Sequence, residues 1–533
     1  MPVRVSNLRT PVDEPFEALP KRLAAALGIP EKELPSWRVV RKSLDLRDKK
    51  ALQFVYNAEI DLKEPRLPAQ APGIKIEYVP AEVFSLPQHG SSPLKHRPIV
   101  VGSGPGGLVC AYFLALAGYH PLVLERGTPV HQRIRDVKNF DEGGKFEPES
   151  NYLFGEGGAG TFSDGKLTSR AVGPDVQRVM ELFAECKGQQ PNKPSILYYH
   201  RPHLGSNRLP AVVKAIRRKI EEMGGEVRFH TRVEDIFLTE GRITGVGTSS
   251  GEIATELVVL APGHSARDTF EMLLRRGIPI VQKDFQFGVR VEHPQSVVNR
   301  VQYGTRPYEE ILGNADYSLV ARGKTDLFTF CMCAGGYVIP SVSEQGYFCT
   351  NGMSLSKRDS YFANSGLVVT IPTSEFGGSD PLAGVRLQQI YEKRAFELGR
   401  GEYACPVQQA NDFLAGRVSK GAESSYPRKK VLVSLEEVLP PFVVQAVKAG
   451  LPKLNRMWRG QFLPQAVLVG PEARGSSPVR ILRDEQTRQS PAIEGLFPVG
   501  EGAGYAGGIV SAAVDGLRTA KAIMAKYAPF RKN

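Results

Sequence analysis

The stretch "IVVGSGPGG", Ile99 to Gly107, runs an apolar strand straight into a glycine-rich turn. Gly102, Gly104 and Gly107 fit the spacing G-x-G-x-x-G. In that pattern the first glycine makes the tight turn, the second lets backbone approach a pyrophosphate, and the third lets helix lie close on strand. Pro105 and Gly106 fall inside the same turn and are read with it as cofactor contacts. The context agrees: "PIVV" supplies the strand, "LVCAYFLALAGY" an apolar helix whose N-terminus faces the phosphates, and "HPLVLERG" a second strand. That strand ends at Glu125, 23 residues after Gly102, followed by Arg126, and both are read as cofactor contacts. A carboxylate there accepts from ribose hydroxyls and would repel a 2′-phosphate, which argues against NADP and leaves NAD and FAD.

The C-terminus chooses between them. "PVGEGAGYAGGIVSAAVDG", Pro498 to Gly516, holds a second match at Gly502, Gly504 and Gly507, but only 26 residues follow Gly507. One helix fits there and a further βαβ unit does not. The strand "LFPVGE", its glycine turn and the helix after it therefore return to the first domain. Between the two ends, Arg208 to His264 reads as an amphipathic helix, a strand, a hairpin and a buried strand "LVVLAPG".

This order resembles flavoproteins of the glutathione-reductase type. The resemblance implies that Gly500, Glu501 and Gly507 meet the ribityl-pyrophosphate. It also implies that the helix N-terminus at Gly508 and Ile509 faces the flavin, that backbone at Val233 touches adenine, and that Gly263 lets the chain pass near the cofactor. The runs "FGEGGAGTFSDGKLTSR" (Phe154 to Arg170), "TFCMCAGGYVIP" (Thr329 to Pro340), "NGMSLSKRD", "ANSGLVV" and "SSPVRI" narrow the match. Together they look like bacterial FAD-dependent dehydrogenase-like proteins over nearly the whole chain. That family implies FAD and redox chemistry, with an unidentified small-molecule substrate and electron donor. The chain departs from it at Ala334, where the family has proline, and at "EARG", Glu472 to Gly475, where the family has an acid-threonine-arginine-threonine run.

In the loop "GGAGTFSDGKL", Gly158 and Gly160 permit close backbone approach, and Ser163, Asp164 and Lys166 are read as cofactor contacts without a catalytic role. The thiols of "CMC", Cys331 and Cys333, occupy alternate positions of a strand. Packing accounts for them better than a thiol relay, whose flavoenzyme versions use other spacings. His264 follows "LAPG" and could reach flavin or substrate, or serve as a surface or capping residue. The remaining histidines are too scattered for a metal site. A monooxygenase shares the plan with one dinucleotide domain, but "GEGAG" stands where its late "GDA" would. A flavoprotein of RNA modification has only "RVVRKSLDLRDKK", six bases against two acids, in its favour.

The 533 residues require more than one core. The fold expected is α/β: a split, Rossmann-like FAD-binding domain of three ββα layers, with a mixed-sheet substrate or cap domain and an N-terminal ferredoxin-like α+β domain. Residues 1–92 form the N-terminal βαββ unit, 96–280 and 455–533 the two parts of the FAD domain, and 281–454 the cap. The net charge of +12 is spread along the chain. The first 95 residues carry fifteen Lys and Arg against twelve Asp and Glu, a net of +3 and a weak electrostatic footprint. The N-terminal unit is therefore expected to dock on the flavin domain, or swing from the "SLPQHGSSPLKHRP" linker toward a protein partner, and not to bind nucleic acid. Six unpaired-looking cysteines, no secretory pattern in "MPVRVSNLRT" and glycines interrupting the uncharged run Ile99 to Leu124 point to the cytoplasm and to no membrane span.

Overall fold

The computed structural model describes residues 2–62, 73–80, 83–169, 171–188, 196–199 and 201–530. The strand Ile99–Val101 is the middle of five parallel strands, between Val258–Leu260 and Leu122–Leu124, with Leu496–Pro498 and Glu226–Arg228 at the edges. The three inner strands are apolar at every position because both faces are covered. Val100, Val123 and Val259 point to the layer of helices, while Ile99, Val101, Leu122, Leu124, Val258 and Leu260 point to the other side. There they meet Val233, Ile236, Ile243 and Val246 of an antiparallel sheet built from Val233–Thr239, Arg242–Thr248 and Gly251–Ala254. The result is the expected three-layer ββα domain.

The helix Pro105–Leu116 is apolar all round, so it must be buried on all sides. The partner that makes this possible comes from the end of the chain. The helix Ile509–Lys526 lies so close that a Cβ at Gly516 would sit 2.1 Å from the Gly106 carbonyl oxygen. The edge strand Leu496–Pro498 is equally late, pairing parallel to Val258–Leu260.

A seven-stranded mixed sheet forms the second body, with Phe285–Pro294 at its centre between Phe362–Ile371 and Val467–Glu472. The expected boundary at residue 455 is too early. Val467–Glu472 pairs with Phe285–Pro294 and with Cys405–Gln409, so the chain crosses the cap sheet once more before returning. The reason is electrostatic as well as apolar. Arg290 on the central strand is fully buried and needs Glu472, whose carboxylate it contacts at 2.5 and 2.9 Å.

At the N-terminus, Trp37–Asp45, Gln53–Ile60, Val3–Pro11 and Lys75–Tyr78 form one antiparallel sheet in that order, beside the helix Leu19–Leu27. Lys75–Tyr78 is a fourth strand beyond the βαββ reading. The unit is docked. Lys42 N–H donates to the Tyr198 carbonyl at 2.8 Å, the Phe16 ring lies parallel to Tyr198, and Tyr308 OH donates to the Lys50 carbonyl at 3.4 Å. The linker is pinned too: Gly90 N–H donates to the Met524 carbonyl at 2.8 Å and Ser92 N–H to that of Lys526 at 3.2 Å. All six cysteines are free, and no helix among the described residues is long and apolar enough to cross a membrane.

A buried ion cluster ties the two bodies together. Glu392 accepts from Arg267 at 2.8 and 3.0 Å and from Arg474 at 2.8 and 2.9 Å, all three side chains being buried. Burial pushes the Glu392 carboxyl up, but Arg267 and Arg474 outweigh it and hold it at about 2. Its folded value lies below the ordinary one, so its contribution to stability is complete above about pH 4.5 and is lost as pH falls toward 2. Glu392→Gln should lower unfolding stability by about 3–5 kcal/mol in urea titrations at pH 7, because two guanidiniums stay buried without their anion. The wild-type advantage over this variant should shrink between about pH 4.5 and 2. A change well under 1 kcal/mol at pH 7 would contradict this reading.

Candidate functional site

The glycines of the site divide into two kinds. Gly102 has φ +95°, and a Cβ there would lie 2.3 Å from the Ala261 carbonyl oxygen; a Cβ at Gly107 would lie 2.0 Å from that of Gly102. These two are fixed by protein packing. Gly104 has φ −67°, open to any residue, and its Cβ would meet nothing within 4 Å. Gly263 is equally clear, while Gly507 and Gly508 would meet only the side chains of Glu501 at 3.6 Å and Ser511 at 3.7 Å.

Gly104, Gly507 and Gly508 lie at two helix N-termini, Pro105–Leu116 and Ile509–Lys526, neither of which has a side-chain cap, while Gly263 follows the strand Val258–Leu260. The 3-10 turn Gly158–Phe162 sits against both. A Cβ at Gly158 would be 3.2 Å from Gly104 Cα, and one at Gly160 would be 3.3 Å from Pro105 Cγ and 3.4 Å from Ile509 Cγ1. Two helix dipoles thus offer unsatisfied N–H groups and partial positive charge along one glycine-lined track. Gly500 is held at the far end by its N–H, which donates to Asp515 Oδ2 at 2.8 Å.

At the near end Glu125 is buried and accepts from Ser103 N–H at 3.0 Å, Ser103 Oγ at 2.6 Å, Gly127 N–H at 2.8 Å and Gly155 N–H at 3.1 Å. Both oxygens are thus engaged by protein, and a ribose hydroxyl would add to or replace the Ser103 Oγ contact. Arg126 turns away from the track. It pairs with Glu149 at 2.6 Å and Asp268 at 3.0 Å and stacks over Phe154, which its neighbouring acids make the better place for a cation. The chain leading into Val233 crosses this same end, since His230 N–H donates to the Gly127 carbonyl at 3.1 Å and Thr231 N–H to that of Glu125 at 2.9 Å. The Val233 side chain itself is buried.

At the far end Glu501 Oε2 lies 3.7 Å from His264 Nδ1, and His264 Nε2 is buried without a hydrogen-bond partner. The two residues follow the adjacent parallel strands Leu496–Pro498 and Val258–Leu260, which is why residues 237 apart in sequence meet. An open glycine track, two uncapped helix N-termini and an orphaned imidazole nitrogen fit a bound dinucleotide.

Ser163, Asp164 and Lys166 do not face this track. Ser163 Oγ donates to the Gly160 carbonyl at 2.8 Å and closes its own loop. Asp164 is 1% exposed and turns away from the track to meet Lys166 Nζ at 2.9 Å, Arg358 at 3.3 Å, His203 at 3.5 Å and the hydroxyl of Ser354, on the hairpin strand Thr350–Ser354. Lys166 also donates to the Met332 carbonyl. The glycines around them let the loop turn inward, and a buried carboxylate is stable only where cations and donors meet it. The loop is thus a latch between the two bodies.

Sequence reasoning missed Arg133. It is fully buried and donates to the carbonyls of Asn151 at 2.8 Å, Glu156 at 2.9 Å, Gly158 at 2.8 Å and Gly155 at 3.2 Å, so it holds the loop against the phosphate turn. Nothing in "VHQRIRDVKNFD" distinguishes it from Arg135, because both are arginines on one amphipathic helix.

The two kinds of glycine give a paired prediction. Gly104→Val should fold with the cooperative melting of the wild-type apoprotein yet purify without flavin, since the added methyls project into the track. Gly107→Val should fail to fold. A Gly104→Val protein with full flavin absorbance would refute the track.

Matches to known proteins agree with this geometry. Residues 100–157 match the model of an NAD(P)-binding Rossmann-like domain, 160–336 that of FAD dependent oxidoreductases, 284–475 that of the FAD-dependent protein C-terminal domain, and 2–61 a domain of unknown function. An uncharacterised protein of Clostridium beijerinckii is 38% identical over 534 residues, covering 99% of each chain. Among solved structures, glycine oxidase from Geobacillus kaustophilus has 14% identity and a TM-score of 0.34, over 83% of this chain and 97% of its own. The quinol fumarate reductase of E. coli has 13% identity and a TM-score of 0.37, over 81% and 70%. Scores this low carry no argument about chemistry. The full-length relative shares the whole chain and the flavoprotein models describe its parts: this chain belongs to a family of FAD-dependent oxidoreductases.

Proposed function

We propose that the protein acts as a dehydrogenase or reductase, exchanging two electrons between a small organic molecule and FAD held along the glycine track. The observation that carries this reading is the convergence of two uncapped helix N-termini on open glycines. Bound FAD would supply the redox chemistry, and the chain supplies position, polarity and exclusion of water. In this reading backbone at Gly104–Gly107 and the N-terminus of Pro105–Leu116 hold the pyrophosphate. Glu125 sets the ribose end through Ser103, and Glu501 holds the ribityl-pyrophosphate.

The N-terminus of Ile509–Lys526, at Gly508 and Ile509, places partial positive charge at the redox end, where negative charge develops on reduction. His264 Nε2 is buried at that end with no hydrogen-bond partner among the described residues, and we assign it to contact with cofactor or substrate. The substrate enters between the dinucleotide domain and the mixed sheet, in the region closed by Asp164 and Lys166. The docked N-terminal unit is an accessory domain in this scheme, with a surface left for a protein partner.

Two measurements test the scheme. Anaerobic protein mixed in turn with NADH, NADPH and dithionite should lose its flavin absorbance with dithionite and with a nicotinamide donor or an organic substrate. Bleaching by dithionite alone across a broad panel of donors would mean that the flavin is structural. Glu501→Ala should weaken FAD binding to the apoprotein by about 1–3 kcal/mol in fluorescence titrations, the range of a hydrogen bond to a charged group. An unchanged affinity would assign Glu501 to His264 alone.

A further inference from the structure

The pair Cys331 and Cys333 lies outside the glycine track, and its local structure is not that of a regular strand. Along Leu327–Cys333 the partners run Phe328 with Val368, Thr329 with Leu367 and Phe330 with Gly366, then jump to Cys333 with Asn364. Three steps on one strand face two on the other, a β-bulge. Cys331 takes up the extra residue at φ +46°, in the left-handed region that non-glycine residues rarely occupy. The expected alternation is therefore broken. Cys333 Sγ donates to the Cys331 carbonyl at 3.3 Å and so folds back on the Cys331 backbone.

The surroundings are cationic. Lys166 is bonded to the carbonyl of Met332, between the two cysteines, and Arg290 Nη1 donates to the Cys331 carbonyl at 3.4 Å. Arg290 is neutralised by Glu472, but the single carboxylate of Asp164 serves both Lys166 and Arg358. Burial lowers the pKa of His203, which favours its neutral form, and keeps Tyr317 protonated. Glu292 is buried near Arg290, and burial pushes its carboxyl up. With Glu292 and both thiols protonated, Lys166 and Arg358 share the one Asp164 carboxylate, a surplus that a thiolate offsets. Cys331 is part-exposed whereas Cys110, Cys186, Cys333, Cys349 and Cys405 are buried.

We propose that Cys331 and Cys333 form a redox-active dithiol that exchanges with a small-molecule disulfide, Cys331 being the attacking sulfur. The Cys331 thiolate attacks one sulfur of the disulfide, forming a mixed disulfide and releasing one thiolate. Cys333 then attacks Cys331 Sγ, the intrachain bond forms, and a second thiolate leaves. The Cys333 proton passes to one of the released thiolates. The protein dithiol loses two electrons and the small disulfide gains them. Cys333, beside it, supports this division of roles by drawing the Cys331 thiol below its ordinary value. Burial opposes that shift, and Lys166 and Arg290 add to it, while burial pushes Cys333 up.

The test uses the full-length protein, reduced and flavin-containing, and does not depend on the function proposed above. After exposure to glutathione disulfide, alkylation and mass spectrometry should find Cys331 and Cys333 joined in the wild type. Cys333→Ser should carry glutathione on Cys331, and Cys331→Ser should carry neither. Iodoacetamide should modify Cys331 at pH 7 about two- to threefold faster than a free cysteine peptide, the larger thiolate fraction being partly offset by lower nucleophilicity, and Lys166→Met should slow it. If wild-type Cys331 alkylates no faster than the peptide, or both thiols stay free in glutathione disulfide, the proposal fails whether or not the variants fold.

Discussion

The site depends on one buried carboxylate. Glu125 ends the second strand of the parallel sheet, and its two oxygens gather N–H groups from the phosphate turn, from its own strand end and from the loop at Gly155, together with the Ser103 hydroxyl. These segments lie apart in sequence, and beside the contacts of Arg126 with Glu149 and Phe154 it is this carboxylate that gathers their backbone. An ionised acceptor is well suited to this task, because hydrogen bonds to a charged group are about twice as strong as neutral ones. Arg133 supplies the complementary half. It binds the carbonyls of the same loop as Glu125 binds its amides, and Gly158 and Gly160 are thereby carried up against both helix N-termini.

A second theme is the concentration of buried charge where the two bodies meet. The run "EARG" contributes both Glu472, the counter-ion of Arg290, and Arg474, which shares Glu392 with Arg267. Buried ion pairs of this kind add little net stability over apolar packing, but they tolerate no other arrangement, because a displaced partner leaves a bare charge. They fix how the cap sheet is set on the dinucleotide domain, and so the shape of the cleft between them.

The parallel sheet, the split domain and the phosphate turn were legible because they follow from local rules. Apolar strands, glycine spacing and the room left after Gly507 are all visible along the chain. What could not be read depends on distant partners. Asp164 and Lys166 look like loop residues until Ser354, Arg358 and Met332 are brought beneath them. Val467–Glu472 reads equally well as part of either body, and only its pairing with Phe285–Pro294 decides. Cys331 looks like any strand residue because a bulge is set by register against Phe362–Ile371, which "FCMC" alone does not carry. Glu125 reads as an acid at a strand end, but whether it meets sugar or backbone depends on Gly155, thirty residues away.

The late arrival of Leu496–Pro498 and Ile509–Lys526 has a consequence for how the molecule is made. The apolar helix Pro105–Leu116 lacks its principal cover until some 400 residues more have been synthesised, and the Gly90 segment waits for the same helix to accept its N–H groups. Contacts of such long sequence separation close slowly and leave apolar surface exposed meanwhile. During synthesis the N-terminal unit and the cap sheet have one shared core to form, whereas the dinucleotide domain cannot close. Cofactor loading is therefore an event of the finished chain, and the flavin, by binding only the closed form, would draw the last step of folding to completion.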